Sequence, residues 1–540
     1  MSIVAFLLML APLVIVHELG HFLFAKLFNV KAEAFSVGFG PRLFAKKWGE
    51  TEFRLSLIPL GGYVKLLGEE PGVELPPEER PRALQYQSVG KRFWIFFGGP
   101  LFNFLFAILV YMTIMAVGEP KLANVVGRVI PGSFAEQVGF QSGDRIVSVA
   151  GEPVALFDSV MEKIAAVSQG EVSVQVERTS VQGDTQTPVL RFQPELEDGF
   201  GAYGESQKVG AVPGLEPFVR TPIVGVARLD SFAAKEGVKT GDRIVSLNGT
   251  AVESWEQVEL LYAKISMGDR VRLELSSGDA SKVLELKKTQ TDITALGLES
   301  SELYVDRVEP EHPAASVGIE PGDRLLSVNQ DRIRSFQELR QLVQKAGEAA
   351  GKFNLTWMHQ GQRITKEIVP KATERKGPQL ETKVDYTVGI YPMIDIREAE
   401  VKIEREWNPF VLLYKGTLRM VDVTYKNIMS IGKMILGQVS YKTLGGPILI
   451  GKIAGDSLER GLIPFLTMMA VLSIGLGVLN VLPVPVLDGG HILLLGVESI
   501  RKKPLSMKQM EVIQQAGLLL ILMLMAVVFK NDFSRLSLFN

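Results

Sequence analysis

The chain has 540 residues, enough for several domains; 46% are hydrophobic and the mean hydropathy is +0.18, which fits a mixture of membrane helices and soluble modules better than either alone. A net charge of −2 gives no basis for nucleic-acid binding. With no cysteine, disulfides and thiolate-ligated zinc are excluded, and five histidines leave a metal site few nitrogen donors.

Four segments read as membrane spans, at residues 2–28, 93–117, 462–482 and 516–529. Each approaches the ~20 residues that cross ~30 Å of hydrocarbon. No positively charged stretch precedes the first, so it reads as a retained helix and not as a signal peptide. Within it the run 3–25 carries three ionisable residues, His17, Glu18 and His21, in the order His-Glu-Leu-Gly-His. Two histidines four apart share a helix face, with side-chain roots roughly 5–6 Å apart. Both imidazoles can then reach one zinc ion, and the intervening Glu18 can act as general base on water. Ionisable groups at membrane depth are costly and mark function by default.

Lysines and arginines cluster in the 29–92 loop, from Lys31 and Arg42 to Lys91 and Arg92. A second cluster, Arg501, Lys502, Lys503 and Lys508, separates the last two spans. The positive-inside rule puts both loops in the cytoplasm and the long segment between spans two and three outside. In span two (93–118), Gly98, Gly99 and Asn103 read first as close helix packing and second as support for the site.

The extracytoplasmic segment holds a threefold repeat, at 133–151, 231–249 and 312–330. Each copy has a small-residue helical turn, then Gly-Asp-Arg and an alternating apolar strand; helical stretches follow near 157–166, 255–265 and 336–346. The pattern resembles the PDZ domain three times over, with modules at 119–215, 216–298 and 299–372. Such a module binds an extended peptide on a sheet edge, or acts as a steric filter without a ligand. Residues 373–460 read as strands followed by an amphipathic helix, which lies on the outer membrane surface or gates the site.

Span three (461–488) ends in Asn480-Val-Leu-Pro483-Val-Pro485-Val-Leu-Asp488-Gly-Gly-His491. A catalytic zinc needs three protein ligands and one open position. Asp488 is the acidic group at this helix end, and the inward direction of both spans puts it at the depth of His17 and His21. Pro483 and Pro485 break the helix, and broken backbone at membrane depth lines a wet cavity or is buried in protein. The alternative for Asp488 is an N-cap of the next helix, within 489–540. His491 reads as a neighbour of the site or a packed residue. Asn480, one turn before Pro483, is placed to hydrogen-bond substrate backbone or a developing oxyanion, or else to bond between helices. Asn480, Pro483 and Pro485 are the candidate substrate-binding residues.

The His-Glu-Leu-Gly-His motif, the Asn-x-x-Pro-x-Pro-x-Leu-Asp-Gly motif and the PDZ-like repeats between them resemble the site-2 protease family of intramembrane zinc metalloproteases. Gly38-Phe-Gly-Pro41, Pro59-Leu-Gly-Gly-Tyr-Val-Lys65, Gly99-Pro100-Leu-Phe-Asn103 and Leu444-Gly-Gly-Pro447 add to the resemblance. It implies a four-helix transmembrane metalloprotease core, a cytoplasmic-side, membrane-dipping β-hairpin region at 29–92 that holds substrate, and three extracytoplasmic PDZ-like α+β domains. It also implies zinc on His17, His21 and Asp488, with Glu18 as base. The implied location is the bacterial inner membrane, in contact with lipid. The implied partner is a transmembrane peptide of a single-span protein, such as an anti-sigma factor already trimmed in an envelope stress response, or a remnant signal peptide. The chain departs from the family's familiar pattern in carrying three PDZ-like modules where two are usual. Rival readings are a membrane-anchored PDZ receptor, indifferent to Glu18→Gln, and a metal transporter, whose ligands would be spread along a path.

Overall fold

The computed structural model describes residues 2–535 except 70–73, 168–169, 180–183, 201–204, 279, 350, 377–381 and 504. Seven helices build its apolar part: α1 (Ser2–Leu27), α2 (Val89–Val117), α3 (Pro409–Ile435), α4 (Pro447–Arg460), α5 (Leu462–Val481), α6 (Asp488–Arg501) and α7 (Met507–Arg535). Among the described residues, α1, α2, α5 and α7 are long and apolar enough to cross a membrane.

α2 is the central helix. It meets α1 backbone to backbone: a Cβ on Gly20 would lie 2.1 Å from the Gly98 carbonyl oxygen. Lipid offers no hydrophobic drive for helices to associate, so close approach at small residues supplies the packing. On its other side Ala107, Val110, Tyr111 and Ile114 pack with Ala470, Ile474 and Val478 of α5. Ser473 Oγ fastens this contact by donating to the Asn103 carbonyl at 2.8 Å. Near the N-terminus, Ala5, Met9 and Leu13 of α1 pack with Ala454 of α4 and with Phe465 and Met469 of α5.

α5 stops at Val481, well short of Asp488. Pro483 and Pro485 lack the N–H a helix would need there, and a proline disfavours helical backbone in the residue before it. Residues 482–487 form a turn in which Val486 has φ +83°, a left-handed conformation rare for a β-branched residue. Asp488 opens α6, whose cap is Leu487 with no side-chain bond, so the carboxylate does not serve as an N-cap.

Residues 32–66 form one long antiparallel hairpin, β1 (Ala32–Trp48) and β2 (Thr51–Leu66), turning at Gly49-Glu50. Its base is buried: Ala32, Phe35, Val64 and Leu66 join Ala25 and Ile95 in one core. The hairpin then doubles back on itself: residues 52–55 also pair with 34–37, Thr51 Oγ1 donates to the Ala32 carbonyl at 2.7 Å, and Glu50 at the turn accepts from Arg82 at 2.8 Å, while Phe44 and Trp48 are exposed. β3 (Glu119–Leu122) leaves α2 and pairs antiparallel with β4 (Val401–Glu404), the strand that leads back toward α3. The outgoing and returning chains therefore form one ribbon, and Arg419 of α3 clamps it with two bonds to Glu119, at 2.9 and 3.0 Å.

Between the two strands of that ribbon the three sequence repeats fold with matching topology. Each has a hairpin (Arg145–Val149, Arg243–Leu247 or Arg324–Val328 with its short partner), a helix (Phe157–Ala165, Trp255–Lys264 or Phe336–Glu348), and a long strand beside the hairpin. Each hairpin turns on a left-handed residue, Ala150, Asn248 or Asn329. Three separate apolar cores result. In every unit the last strand returns to pair with the first: Leu215–Glu216 on Arg128–Val129, Leu298–Ser300 on Val224–Val226, and Ile390–Pro392 on Val305–Val308. The third unit therefore extends beyond residue 372, and its core includes Val388 and Ile390.

Candidate metal centre and active site

α1 brings His17 and His21 to one face, with ring centroids 4.9 Å apart. Their Nε2 atoms point to a common spot, 3.3 Å from each other. The turn after α5 delivers Asp488 to the same spot: Oδ2 lies 3.2 Å from His17 Nε2, and Oδ1 lies 3.5 Å from His21 Nε2. Donor atoms of these three residues all fall within 4.8 Å of one another. The Nδ1 atoms face away and are engaged, His21 with the Ile95 carbonyl at 2.8 Å and His17 with the Asn103 amide at 3.1 Å.

Two nitrogens and one carboxylate converging from two elements, with both far ring nitrogens hydrogen-bonded, match the donor set of a catalytic zinc with a fourth position left open. The surroundings fit as well. A Cβ on Gly99 would lie 2.4 Å from His21 Nε2 and 2.7 Å from His17 Cε1, so only glycine lets α2 pass beneath both rings.

Glu18 is next to His17 on α1 and is covered by β2: a Cβ on Gly62 would come within 3.0 Å of Glu18 Cγ. Asn480 puts its amide nitrogen 3.4 Å from His17 Nε2, at the edge of the converging donors. Pro483 is exposed, and Pro485 packs under α7, where a Cβ on Gly517 would lie 2.6 Å from the Pro485 carbonyl oxygen. His491 is outside the cluster; it stacks on Phe96 at 4.6 Å with the rings nearly parallel. His359 is paired with Asp323 at 2.8 Å in the third repeat unit.

The sequence reading gave Gly99 and Asn103 only second as support for the site and did not single out Arg92, Ile95 or Phe96 on α2. Arg92 holds Glu498 of α6, Ile95 accepts from His21, Phe96 stacks on His491, Gly99 admits both rings, and Asn103 touches His17. Spacings of three, one, three and four place these positions on one helix face. That periodicity was the available signal, but a backbone acceptor such as the Ile95 carbonyl leaves no mark in residue type.

A pair of histidines, one buried and one partly so, and a carboxylate at the ends of apolar helices, with a glutamate beside them, define a membrane metallopeptidase. The sequence model of Peptidase family M50 matches residues 5–524, and the chain belongs to that family. It is 32% identical to "Putative zinc metalloprotease NMA0084" of Neisseria meningitidis over 538 residues, 99% of each chain. It is 30% identical to Protease RseP of Yersinia pestis and 28% identical to Regulator of sigma-E protease RseP of Escherichia coli, again over 99% of each chain. Among solved structures, it is similar over 18% of its length to 90% of a PDZ domain from Listeria monocytogenes, at 20% identity and a TM-score of 0.15.

Proposed function

We propose that this chain is a zinc-dependent intramembrane endoprotease that cuts peptide bonds within transmembrane segments of single-span proteins. The observation that carries this reading is the convergence of His17 Nε2, His21 Nε2 and the Asp488 carboxylate on apolar helices, with Glu18 alongside. His17, His21 and Asp488 would hold the zinc. When bound, the metal supplies a water activated near neutral pH and polarises the scissile carbonyl. Glu18 takes the proton of the attacking water and returns it to the leaving amide nitrogen. Asn480 orients the substrate backbone or donates to the developing oxyanion, while Pro483 and Pro485 hold the turn open beside it.

A transmembrane substrate is internally hydrogen-bonded and must unwind before attack. The β1–β2 hairpin offers it strand edges next to Glu18. The three repeat units act as PDZ-type modules on the extracytoplasmic face of a bacterial inner membrane, an orientation supported by the lysine and arginine clusters at 29–92 and 501–508. An anti-sigma factor trimmed by an earlier protease is the proposed physiological substrate, with remnant signal peptides as a second class; the RseP relatives support this choice.

The test is cleavage of a purified single-span substrate by wild type and Glu18→Gln, with bound zinc measured in both. The reading expects cleavage to be lost and zinc retained. Equal cleavage by both chains would overturn it.

A further inference from the structure

α2 supplies no ligand to the metal centre, yet besides passing beneath both rings at Gly99 it meets each imidazole at Nδ1, away from the converging nitrogens. His21 Nδ1 donates to the Ile95 carbonyl. His17 Nδ1 lies 3.1 Å from the amide position assigned as Nδ2 of Asn103, a residue with no solvent exposure. The Asn103 backbone carbonyl is tied to Ser473 of α5, which fixes the residue between α1 and α5. At the other end of its amide, Oδ1 has no hydrogen-bond partner among the described residues.

An imidazole that offers Nε2 to a metal carries its proton on Nδ1. That proton needs an acceptor. A backbone carbonyl can only accept, so Ile95 meets the requirement for His21. A carboxamide can face a ring with either end. With the oxygen toward His17, Nδ1–H is satisfied and Nε2 keeps its lone pair. With the NH2 toward His17, the ring proton is driven to Nε2, where it blocks coordination. Since the far end of the Asn103 amide has no partner, the imidazole alone decides which end faces it.

We propose that Asn103 is a positioning residue for His17: its side-chain oxygen accepts the Nδ1 proton and holds the ring in the tautomer and plane that present Nε2 to the metal. This rests on the reading of His17, His21 and Asp488 as ligands.

Full-length wild type, Asn103→Asp and Asn103→Leu are compared in detergent by competition for zinc against a chromophoric chelator. Aspartate keeps an acceptor toward Nδ1 and removes the donor; leucine removes both. The proposal expects zinc affinity to fall about 10–100-fold with leucine, the usual cost of losing an outer partner of a ligating histidine. It expects aspartate to stay close to wild type. Asn103→Ala serves as the loss variant if the leucine chain does not fold. Ser473→Ala, which disturbs only the packing of Asn103, is expected to bind zinc as wild type does. Wild-type affinity in the loss variant overturns the proposal, as does an aspartate variant as weak as leucine, or a Ser473→Ala chain as weak as either. A wild-type chain that binds no zinc overturns the ligand reading, and this proposal with it.

Discussion

The Glu302 carboxylate and the Arg128 guanidinium, 174 positions apart, meet at 2.6 Å through both carboxylate oxygens in a site nearly closed to solvent. Arg128 belongs to the first repeat unit, and Glu302 lies just before the third. Glu302 also accepts from Arg220 at 3.2 Å and from the Phe336 backbone N–H at 3.0 Å. One buried carboxylate thus fastens the first unit, the segment before the second and the helix of the third. Removing one partner of a buried pair leaves an uncompensated charge and costs ~3–5 kcal/mol. Glu302→Leu is expected to reach that range, because it leaves the buried Arg128 guanidinium without its carboxylate, although Arg220 keeps Glu256 at 2.8 Å. Arg128→Met should cost less, since Glu302 keeps Arg220. Denaturant unfolding of the full chain in detergent checks the order; an Arg128→Met chain less stable than Glu302→Leu would contradict it.

Gly99 predicts a sharp contrast within one helix. A methyl group there would meet His21 Nε2 at 2.4 Å, whereas at Gly90 of the same helix it would meet nothing within 4 Å. Gly99→Ala is expected to displace both rings and lower the zinc content per chain. Gly90→Ala should leave zinc unchanged and add the usual ~0.5–1 kcal/mol of an alanine in a helix. Metal analysis of the two purified variants decides the matter, and full zinc in Gly99→Ala would count against the described geometry.

The ribbon beside the membrane has a pH signature. Burial alone would raise Glu119, but the hydrogen bonds and charge of Arg419, with Lys121 nearby, outweigh it and hold the carboxyl below its ordinary value. A carboxylate depressed in the folded state contributes stability above its unfolded pKa and loses it as pH falls through the folded one. The clamp between β3 and α3 is therefore expected to be constant from pH 5 to 8, counted from an ordinary glutamate near ~4.3, and to weaken only in more acidic solution. Arg419→Leu removes it at every pH. Amide exchange in the first turns of α3 should then rise about fivefold, as expected for a partly exposed pair worth ~1 kcal/mol. A wild-type chain whose protection factors there, exchange rates taken relative to the intrinsic base-catalysed rate at each pH, changed steeply between pH 5 and 8 would refute this account.

Much of the site is legible in the sequence because its information is local. The four-residue spacing of His17 and His21 sets their shared face, and the repeats show their hairpins and helices through Gly-Asp-Arg and apolar alternation. Asp488 follows less directly, from matching the depth of two helix ends. What stayed hidden depends on contacts between distant segments. Asn103 looks like any small polar residue at a helix interface until His17 is placed against it. Glu302 sits in no recognisable motif, and its three partners come from positions 128, 220 and 336. The early end of α5 at Val481 separates Asp488 from the helix that the run of apolar residues suggests.

α7 shows how little can hold a membrane helix. Leu518, Leu519, Leu520, Leu522, Met523, Leu524 and Met525 are exposed, and its body meets the rest of the chain at Gly517 against Pro485 and at Val528 against Gly446. Near its other end the buried Asp532 accepts from the backbone N–H groups of Gly446, Ile448 and Leu449, at 2.9, 3.0 and 3.3 Å. These are donors that a helix start leaves unmatched, so a residue of one helix caps another. Asn531 adds two bonds to the carbonyls of Tyr441 and Leu444. Asp532→Ala is expected to remove the cap, cost ~1–2 kcal/mol, and raise amide exchange at 446–450 while zinc content stays at the wild-type level. Asp532→Asn keeps one acceptor and should fall between the two. Exchange at 446–450 that is equal in wild type and Asp532→Ala would show that α7 is held elsewhere; loss of zinc in Asp532→Ala would show instead that the seating of α7 as a whole bears on the metal centre, through Gly517 against Pro485.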